Sequence, residues 1–525
     1  MNKTFLLLTL TACLQLTAQS HAKNWHLQYN SKDSNYGIGL IDGLNKFQVP
    51  NGPSGIPLEA KPMVVAVIDD GVDIKHPDLQ NNIWVNTKEI PGNAVDDDHN
   101  GYIDDINGWD FLGNLANDIE FDNFESTRLL RDAREKFKDK DLSALSKTEK
   151  SEYRQYLKME KQYQKVYAAA QEDYDILKFL NKMSAALSSE LDSSNISFQN
   201  LLKFEPKSVD AKMGYSMVVS FCKEGMTPKE VFKGIREDYE RAFDKLYYHL
   251  NIDFDSRKQI GDNYEDAKSL DYGNQNVMGP DSKHGSHVAG IIAATRDNRL
   301  GIDGIAPKVK IMCLRVVPNG DERDKDVAHA IRYAVDNGAK IINMSFGKSV
   351  SYNAEIVKEA IRYAESKNVL MVHAAGNEHS NNDDQKFYPS AQYQKDSICK
   401  TWIEVGASDR DQAPAEFSNY GKQSVDVFAP GVQIYSTLSN SAYDAYDGTS
   451  MASPVVAGIA ALIWSYYPNL TAVQVKQIIE SSVVKPEAKF IKPGKKRKKT
   501  TYKKLCKTAG IVNVVNALKL AAGFK

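Results

Sequence analysis

At 525 residues the chain is longer than a single hydrophobic core usually serves, so a large domain with at least one further module is expected. Its 42% hydrophobic and 26% charged residues are those of a globular protein, and a formal net charge of −2 gives no global attraction to nucleic acid or to an acidic polymer. Partner choice therefore has to come from a local site.

The first residues carry a targeting pattern. Lys3 is followed by a nearly all-apolar run from Thr4 to Leu16 and by small residues at Ala18, Ser20 and Ala22. Residues 1–22 are expected to be a cleaved export signal, cut after Ala18 or after Ala22, which places the protein outside the cytoplasm, extracellular or periplasmic. The run is shorter than the roughly 20 residues a spanning helix needs, and no later stretch is expected to cross a bilayer. Leu10-Thr11-Ala12-Cys13 also has the form of a bacterial lipobox, so membrane attachment as a lipid-anchored lipoprotein is expected only if Cys13 is lipidated. Residues 23–60 form an N-terminal extension. Cys222, Cys313, Cys399 and Cys506 remain after the signal, with no pairing predicted; Cys313 lies in an apolar run, where a buried free thiol fits.

From Met63 onward short apolar runs alternate with amphipathic ones, at 63–69, 284–295, 310–317, 327–338, 340–347, 354–368 and 369–377. Strands alternating with helices of this length predict an α/β fold, a parallel sheet with helices on both faces. Its ligand sites belong at the carboxyl ends of the strands. Between Asp96 and Asp105 oxygen side chains recur at alternate positions, with Gly101 at position six. Asp96, Asp98, Asn100, the Tyr102 carbonyl and Asp104 make an EF-hand-like loop for a structural Ca2+, although Asn107 stands where a bidentate Glu would close it; a plain acidic turn is the alternative.

From Asn114 to Glu205 there is neither Gly nor Pro, and Lys, Glu, Tyr and Leu dominate, which favours long helices. Thr227-Pro228-Lys229-Glu230 marks a helix start with a capping box. Residues 114–275 are thus expected to be a helical insertion in a domain made of 61–113 and 276–525. Toward the C-terminus, 489–507 is dense in Lys and Arg; it reads as a solvated basic loop, with a recognition or processing site as the alternative.

Three segments carry candidate chemistry. Asp69 and Asp70 end the first apolar run before Gly71; His284 and His287 open a small-residue helix; and Gly448-Thr449-Ser450 precedes another, where free N–H groups and the helix dipole favour negative charge. Pro454 lacks the N–H that would bond the Ser450 carbonyl, so an unusual first turn is expected. Singly these are a turn aspartate, a structural histidine and a helix cap.

Together with His76-Pro77-Asp78-Leu79, Gly304-Ile305-Ala306-Pro307 and Ala374-Ala375-Gly376-Asn377, and in this order, they resemble the subtilisin-like serine peptidases (subtilases). Asp70 stands where Ser or Thr is usual in that family, and Ser286 where Thr is usual. The resemblance covers about 61–110 and 276–520. It implies a secreted serine endopeptidase in which Ser450 is the nucleophile, His284 the base, Asp69 the residue orienting it, and Asn377 with the Ser450 N–H the oxyanion donors. It also implies pocket walls at Ser345, Phe346 and Gly347 and at Ala374, Ala375 and Gly376, beside which a protein or peptide substrate would lie extended. Glu378, Asp383 and Asp384 would favour basic substrates or be solvated loop carboxylates. Asp78 and Asn298 match positions that hold calcium in some members. The alternatives are a catalytically silent peptide-binding relative and an esterase. The stretch before Met63 looks too short for a chaperone-like propeptide, which leaves the insertion to assist folding or to cover the cleft.

Overall fold

The computed structural model describes residues 23–30, 35–47, 60–191, 196–306, 308–394 and 397–524, so the expected signal at 1–22 and Cys13 lie outside the described residues. Seven parallel strands form the central sheet: β1 (Met63–Asp69), β2 (Gly108–Asp110), β3 (Val309–Arg315), β4 (Ile341–Met344), β5 (Leu370–Ala374), β6 (Trp402–Ser408) and β7 (Val427–Pro430). Their spatial order is β7-β6-β5-β4-β1-β3-β2. Strand order reverses beside β1, and there an open parallel sheet leaves a crevice beyond its carboxyl ends.

Helices α1 (Leu40–Phe47), α2 (Glu125–Phe137), α3 (Lys147–Glu190), α4 (Val209–Lys223) and α5 (Pro228–Asp244) precede α6 (Lys283–Ala293), α7 (Asp324–Asp336), α8 (Ala354–Ser366) and α9 (Thr449–Tyr466). Two more, α10 (Ala472–Ser481) and α11 (Val514–Gly523), close the chain. Alternate residues of β1 face opposite layers. Val65 and Val67 pack with Val288 of α6 and Val455 of α9, whereas Ala66 and Ile68 pack with Ile331 of α7 and Ile361 of α8. A strand covered on both faces reads as the continuous apolar run seen in the sequence. Contrary to expectation, α9 has the length and apolarity of a membrane span, but 89% of it is buried in this core. The four described cysteines are free and buried.

The segment read as an N-terminal extension contributes to that same core where it is described. Trp25, Leu27, Ile38 and Leu40 are buried in it, the Trp25 indole donates to Gln433 O at 3.1 Å, and α1 packs on α11.

Between β2 and α6, helices α2 to α5 lie within Glu125–Asp244, and most of the stretch from Asn251 to Ser282 is turns and loops. The 44-residue α3, roughly 66 Å long at 1.5 Å per residue, opens on a capping box between Ser146 and Glu149. The Thr227–Glu230 box starts α5 as the sequence predicts. This helical unit is fastened to the sheet domain by buried ions. Arg323 pairs with Asp122 at 2.7 Å, Lys325 with Asp262 at 2.6 Å, and Arg257 with Asp326, while Arg128, paired with Glu125 inside the unit at 2.9 Å, donates across to Asp321 O at 2.9 Å and Glu322 O at 3.0 Å. Lys348, one residue past the expected pocket wall, reaches Glu125 at 2.6 Å and Asp324 at 2.9 Å. Burial alone would raise the Glu125 carboxyl, but Arg128 and Lys348 hold it down at about 2. Such pairs cost desolvation to form, and removing one partner strands the other.

Candidate active site

Asp69 ends β1, its carbonyl fixed by Val316 and Val317 N–H at 2.9 and 3.1 Å, and it is 1% exposed. His284 stands in the first turn of α6. Its Nδ1 lies 2.6 Å from Asp69 Oδ1, which also accepts from Asp70 N at 2.9 Å. The close approach of α6 to β1 requires Gly285, where a Cβ would meet Gly71 O at 2.1 Å. Asp70 does not touch the imidazole. Its carboxylate accepts from the backbone N–H of His284 at 3.1 Å and of Gly285 at 2.7 Å, which caps the helix start from outside. Ser286 keeps the hydroxyl of the usual Thr and accepts from Asp73 N at 2.8 Å.

Burial alone would lower the His284 imidazole, but the Asp69 carboxylate, its hydrogen bond and the Asp70 carboxylate push it up to about 9. The side chain is 35% exposed, so solvent screens part of this pull. Burial and the Asp69 charge raise the Asp70 carboxyl to about 7. His287 behaves differently. It is buried, stacks on Tyr446 at 4.6 Å and meets Asp444 O at 3.2 Å within the hairpin of β8 (Ile434–Leu438) and β9 (Ala442–Tyr446), and burial pushes it down to about 3.

Ser450 is the second residue of α9. Its hydroxyl donates to Ser345 O at 3.0 Å, and among the described residues no hydrogen bond joins it to His284. The unusual first turn expected from Pro454 is present: Ser345 Oγ donates to Ser450 O at 2.9 Å in place of the missing N–H. Asn377 is oriented from one side, because its Oδ1 accepts from Thr449 N and Oγ1, both at 3.0 Å. Its amide nitrogen therefore turns toward the start of α9, 3.7 Å from where a Cβ on Gly448 would lie. The aspartate and the histidine are thus in contact at the end of β1, and the amide is held against Thr449, next to the serine, at the start of α9.

A model of the subtilase family matches residues 60–506. The chain belongs to that family. Similar curated proteins are the thermophilic serine proteinase of Bacillus sp. (strain AK1), 42% identical over 205 residues, and subtilisin DY of Bacillus licheniformis, 40% identical over 200 residues. Subtilisin NAT of Bacillus subtilis subsp. natto is 39% identical over 202 residues. These alignments take in 39%, 38% and 38% of this subtilase and 47%, 69% and 50% of the three proteins, so the chain spans about half the length of two of them.

Around the expected pocket walls the subtilase differs from a plain groove. Ala375 is fully buried, and its carbonyl accepts from Asn382 and Asn419. Gly347 and Gly376 face one ring, that of Phe387: a Cβ on Gly347 would lie 2.4 Å from it, and one on Gly376, at φ +104°, 2.8 Å. Phe387 carries no motif signal and was not legible in the sequence. Beyond the ring a cleft of about 320 Å³ is lined by Phe124 of the helical unit and by Gly347, Lys348, Glu378, Phe387 and Asn419. Glu378 accepts from Asn419 at 2.6 Å, Asp383 from Gln423 N and Ser424 N at 3.0 and 2.9 Å, and Asp384 from Asn381 at 2.6 Å.

The acidic loop brings Asp96 and Asp98 together with Glu89, with ligand oxygens within 4.8 Å of one another. The Asp104 carboxylate is directed elsewhere, to Gly92 N at 2.7 Å and Ala94 N at 2.9 Å, so it holds the loop's own turn. Asn100 Oδ1 accepts from Tyr102 N and its amide donates to Asp105. A cation fits the cluster on one observation: Asp98 Oδ1 is buried without a partner in a side chain 4% exposed. At Asp78, by contrast, both oxygens accept from protein donors, Asn298 at 2.6 Å, Tyr443 at 3.2 Å and Ile302 N at 3.3 Å.

Proposed function

We propose that this subtilase is an exported serine endopeptidase acting through Asp69, His284 and Ser450. The observation that carries the reading is the 2.6 Å Asp69–His284 contact, supported by a serine at the start of α9 with the Asn377 amide held against its neighbour Thr449. Nδ1–H donating to Asp69 leaves Nε2 facing solvent as the proton acceptor. The Ser450 hydroxyl turns from Ser345 O toward Nε2, its oxygen bonds to the substrate carbonyl carbon, and its proton passes to His284. The carbonyl oxygen, now anionic, lies between Asn377 Nδ2 and Ser450 N–H. His284 returns the proton to the leaving amine as the C–N bond breaks, and a water repeats the sequence to free the acid and restore Ser450.

Phe387 narrows the pocket between Gly347 and Gly376, so small side chains are favoured before the scissile bond. Glu89, Asp96 and Asp98 would hold a calcium ion, which would neutralise three converging carboxylates and stiffen the loop before β2. Residues 1–22 act as the export signal, with a lipid anchor only if Cys13 is processed. The 114–275 unit forms one wall of the cleft and completes the buried charges of the sheet domain. The test is the Ser450→Ala variant: it should fold normally, lose casein hydrolysis and no longer be labelled by a serine-directed phosphonate. Folded wild-type protein that neither cleaves casein nor takes the label would overturn the reading.

A further inference from the structure

The ten cations between 489 and 507, with no acidic residue among them, stand out in a chain of net charge −2. They do not form a loose loop. Strands β10 (Phe490–Ile491) and β11 (Lys499–Thr500) pair antiparallel, and Lys492 N–H donates to Lys498 O at 2.8 Å across the turn. The base is pinned by Phe490 against the Tyr502 ring, with centroids 5.7 Å apart. The tip is pinned as well: Gly494, at φ +68°, donates to Glu416 O at 3.1 Å and packs so closely on His379 that a Cβ would lie 2.6 Å from the His379 Cβ. The Lys492 ammonium sits over Tyr420 at 4.3 Å. His379 is two residues past Asn377, so the hairpin is docked on the loop that carries the candidate oxyanion donor.

Lys495, Lys496, Arg497, Lys498 and Lys499 are exposed, and among the described residues none of them has a carboxylate partner. Of the acids on the loops that meet the tip, Glu378 accepts from Asn419 at 2.6 Å, and Glu416, largely exposed, lies 3.4 Å from His379 Nδ1. Holding five like charges together costs repulsion that an anionic partner would relieve. A solvated loop would have no need of a packed glycine at its tip. We infer that this hairpin is a docking surface for acidic segments of the polypeptide substrate, engaged while a neighbouring bond lies in the cleft. The inference rests on the endopeptidase reading above. A peptide is favoured over a membrane or a polyphosphate because the tip shares its footing with the cleft loop, and an extended chain advances about 3.3–3.6 Å per residue, so a few residues bridge the two.

The experiment compares kcat/KM for quenched peptides that share one cleavable core, flanked on either side by three Asp or by three Ser residues. The enzymes are wild type and a Lys495→Gln, Lys496→Gln, Arg497→Gln, Lys498→Gln variant. Wild type should favour an acidic flank on one side by about tenfold at low salt, a preference that high salt and the variant both erase while the Ser-flanked peptide is cleaved equally well. Equal turnover of all peptides by wild type, or an acidic preference that survives in the variant, would overturn the inference. So would loss in the variant of binding to anionic vesicles or polyphosphate with peptide selectivity unchanged. Anisotropy of a labelled acidic peptide on Ser450→Ala protein separates the two readings: acid-dependent binding without any cleavage by wild type sinks only the endopeptidase reading, and cleavage without acid-dependent binding sinks only the docking surface.

Discussion

Ser345 and Ser450 are tied by two reciprocal hydrogen bonds, hydroxyl to carbonyl in each direction, at 3.0 and 2.9 Å. The second exists because Pro454 gives the first turn of α9 no N–H to offer Ser450 O. Asn343 and Ser453 extend the link, Asn343 Nδ2 donating to Ser345 Oγ at 3.0 Å and Ser453 Oγ to Asn343 Oδ1 at 2.8 Å. The end of β4 and the start of α9 are therefore held as one unit. Ser345→Ala should leave the Ser450 carbonyl without its donor, at a cost of about 1–3 kcal/mol. It should also misplace the hydroxyl, lowering kcat by roughly tenfold to a hundredfold with KM little changed, and Ser345→Thr should restore part of the loss. Steady-state kinetics and thermal unfolding check both; a kcat equal to wild type would show that the link does not position Ser450.

Asp70 places a carboxylate, where the family usually has a neutral hydroxyl, beside the proposed base His284. Its charge helps raise the imidazole, and hydrolysis needs the imidazole neutral, so the rising limb of the pH–rate profile should lie on the alkaline side of ordinary histidine behaviour. Asp70→Ser removes one anion, lowers the proton affinity of His284 and should move that limb to lower pH by roughly one unit. The limb reports Asp70 and His284 together rather than one residue. A limb that stays in place in Asp70→Ser would mean that Asp70 acts only as a cap for α6.

Much of this was legible from local pattern. The apolar runs at 63–69 and 340–347 fix strands buried on both faces, and the small residues after His284 and Ser450 fix helices that approach the sheet closely. What was not legible depends on tertiary contact. Phe387 is an unremarkable aromatic until two glycines from other loops are seen to face it, and Glu89 joins Asp96 and Asp98 only because the intervening turn folds back. The Trp25–Leu40 stretch lacks helical or strand periodicity, so its place in the core could not be read from the chain. In α9 the apolarity was visible in part, but whether it meets lipid or a sheet is decided by what packs on it.

Phe387 sets a prediction on selectivity. With the ring between Gly347 and Gly376, substrates with Ala before the scissile bond should be cleaved better than those with Leu or Phe. Phe387→Ala opens the space and should raise kcat/KM for Phe substrates about tenfold or more, leaving Ala substrates within a few-fold. A panel of matched peptides differing at that residue decides it. An unchanged ranking in Phe387→Ala would place the specificity pocket elsewhere.

The acidic loop separates two roles by residue. If Glu89, Asp96 and Asp98 hold calcium, saturating calcium at about a hundred times Kd should stabilise the fold by about 2.7 kcal/mol, and a chelator should lower Tm accordingly. Asp98→Asn should abolish the difference between calcium and chelator. Asp104→Asn should lower Tm under both conditions and keep the difference, because that carboxylate serves Gly92 and Ala94. Equal Tm with calcium and with chelator in the wild-type protein would reduce the loop to an acidic turn.

His26 is fully buried, both of its ring nitrogens lack partners, and burial pushes it down to about 4. The unfolded chain binds this proton below about 6.5, while the folded chain resists it until about 4, so stability is full above that window and falls as pH drops through it. The full difference is on the order of 3 kcal/mol, with about 2 kcal/mol of it lost between pH 7 and pH 5. His26→Phe keeps a ring of similar shape against Trp25 and removes two unsatisfied polar atoms. Urea unfolding in the Ser450→Ala background, which prevents self-digestion, should show a smaller loss of stability from pH 7 to pH 5 in His26→Phe than in its parent. An identical pH slope in the two proteins would assign the acid sensitivity to other groups, His287 first among them.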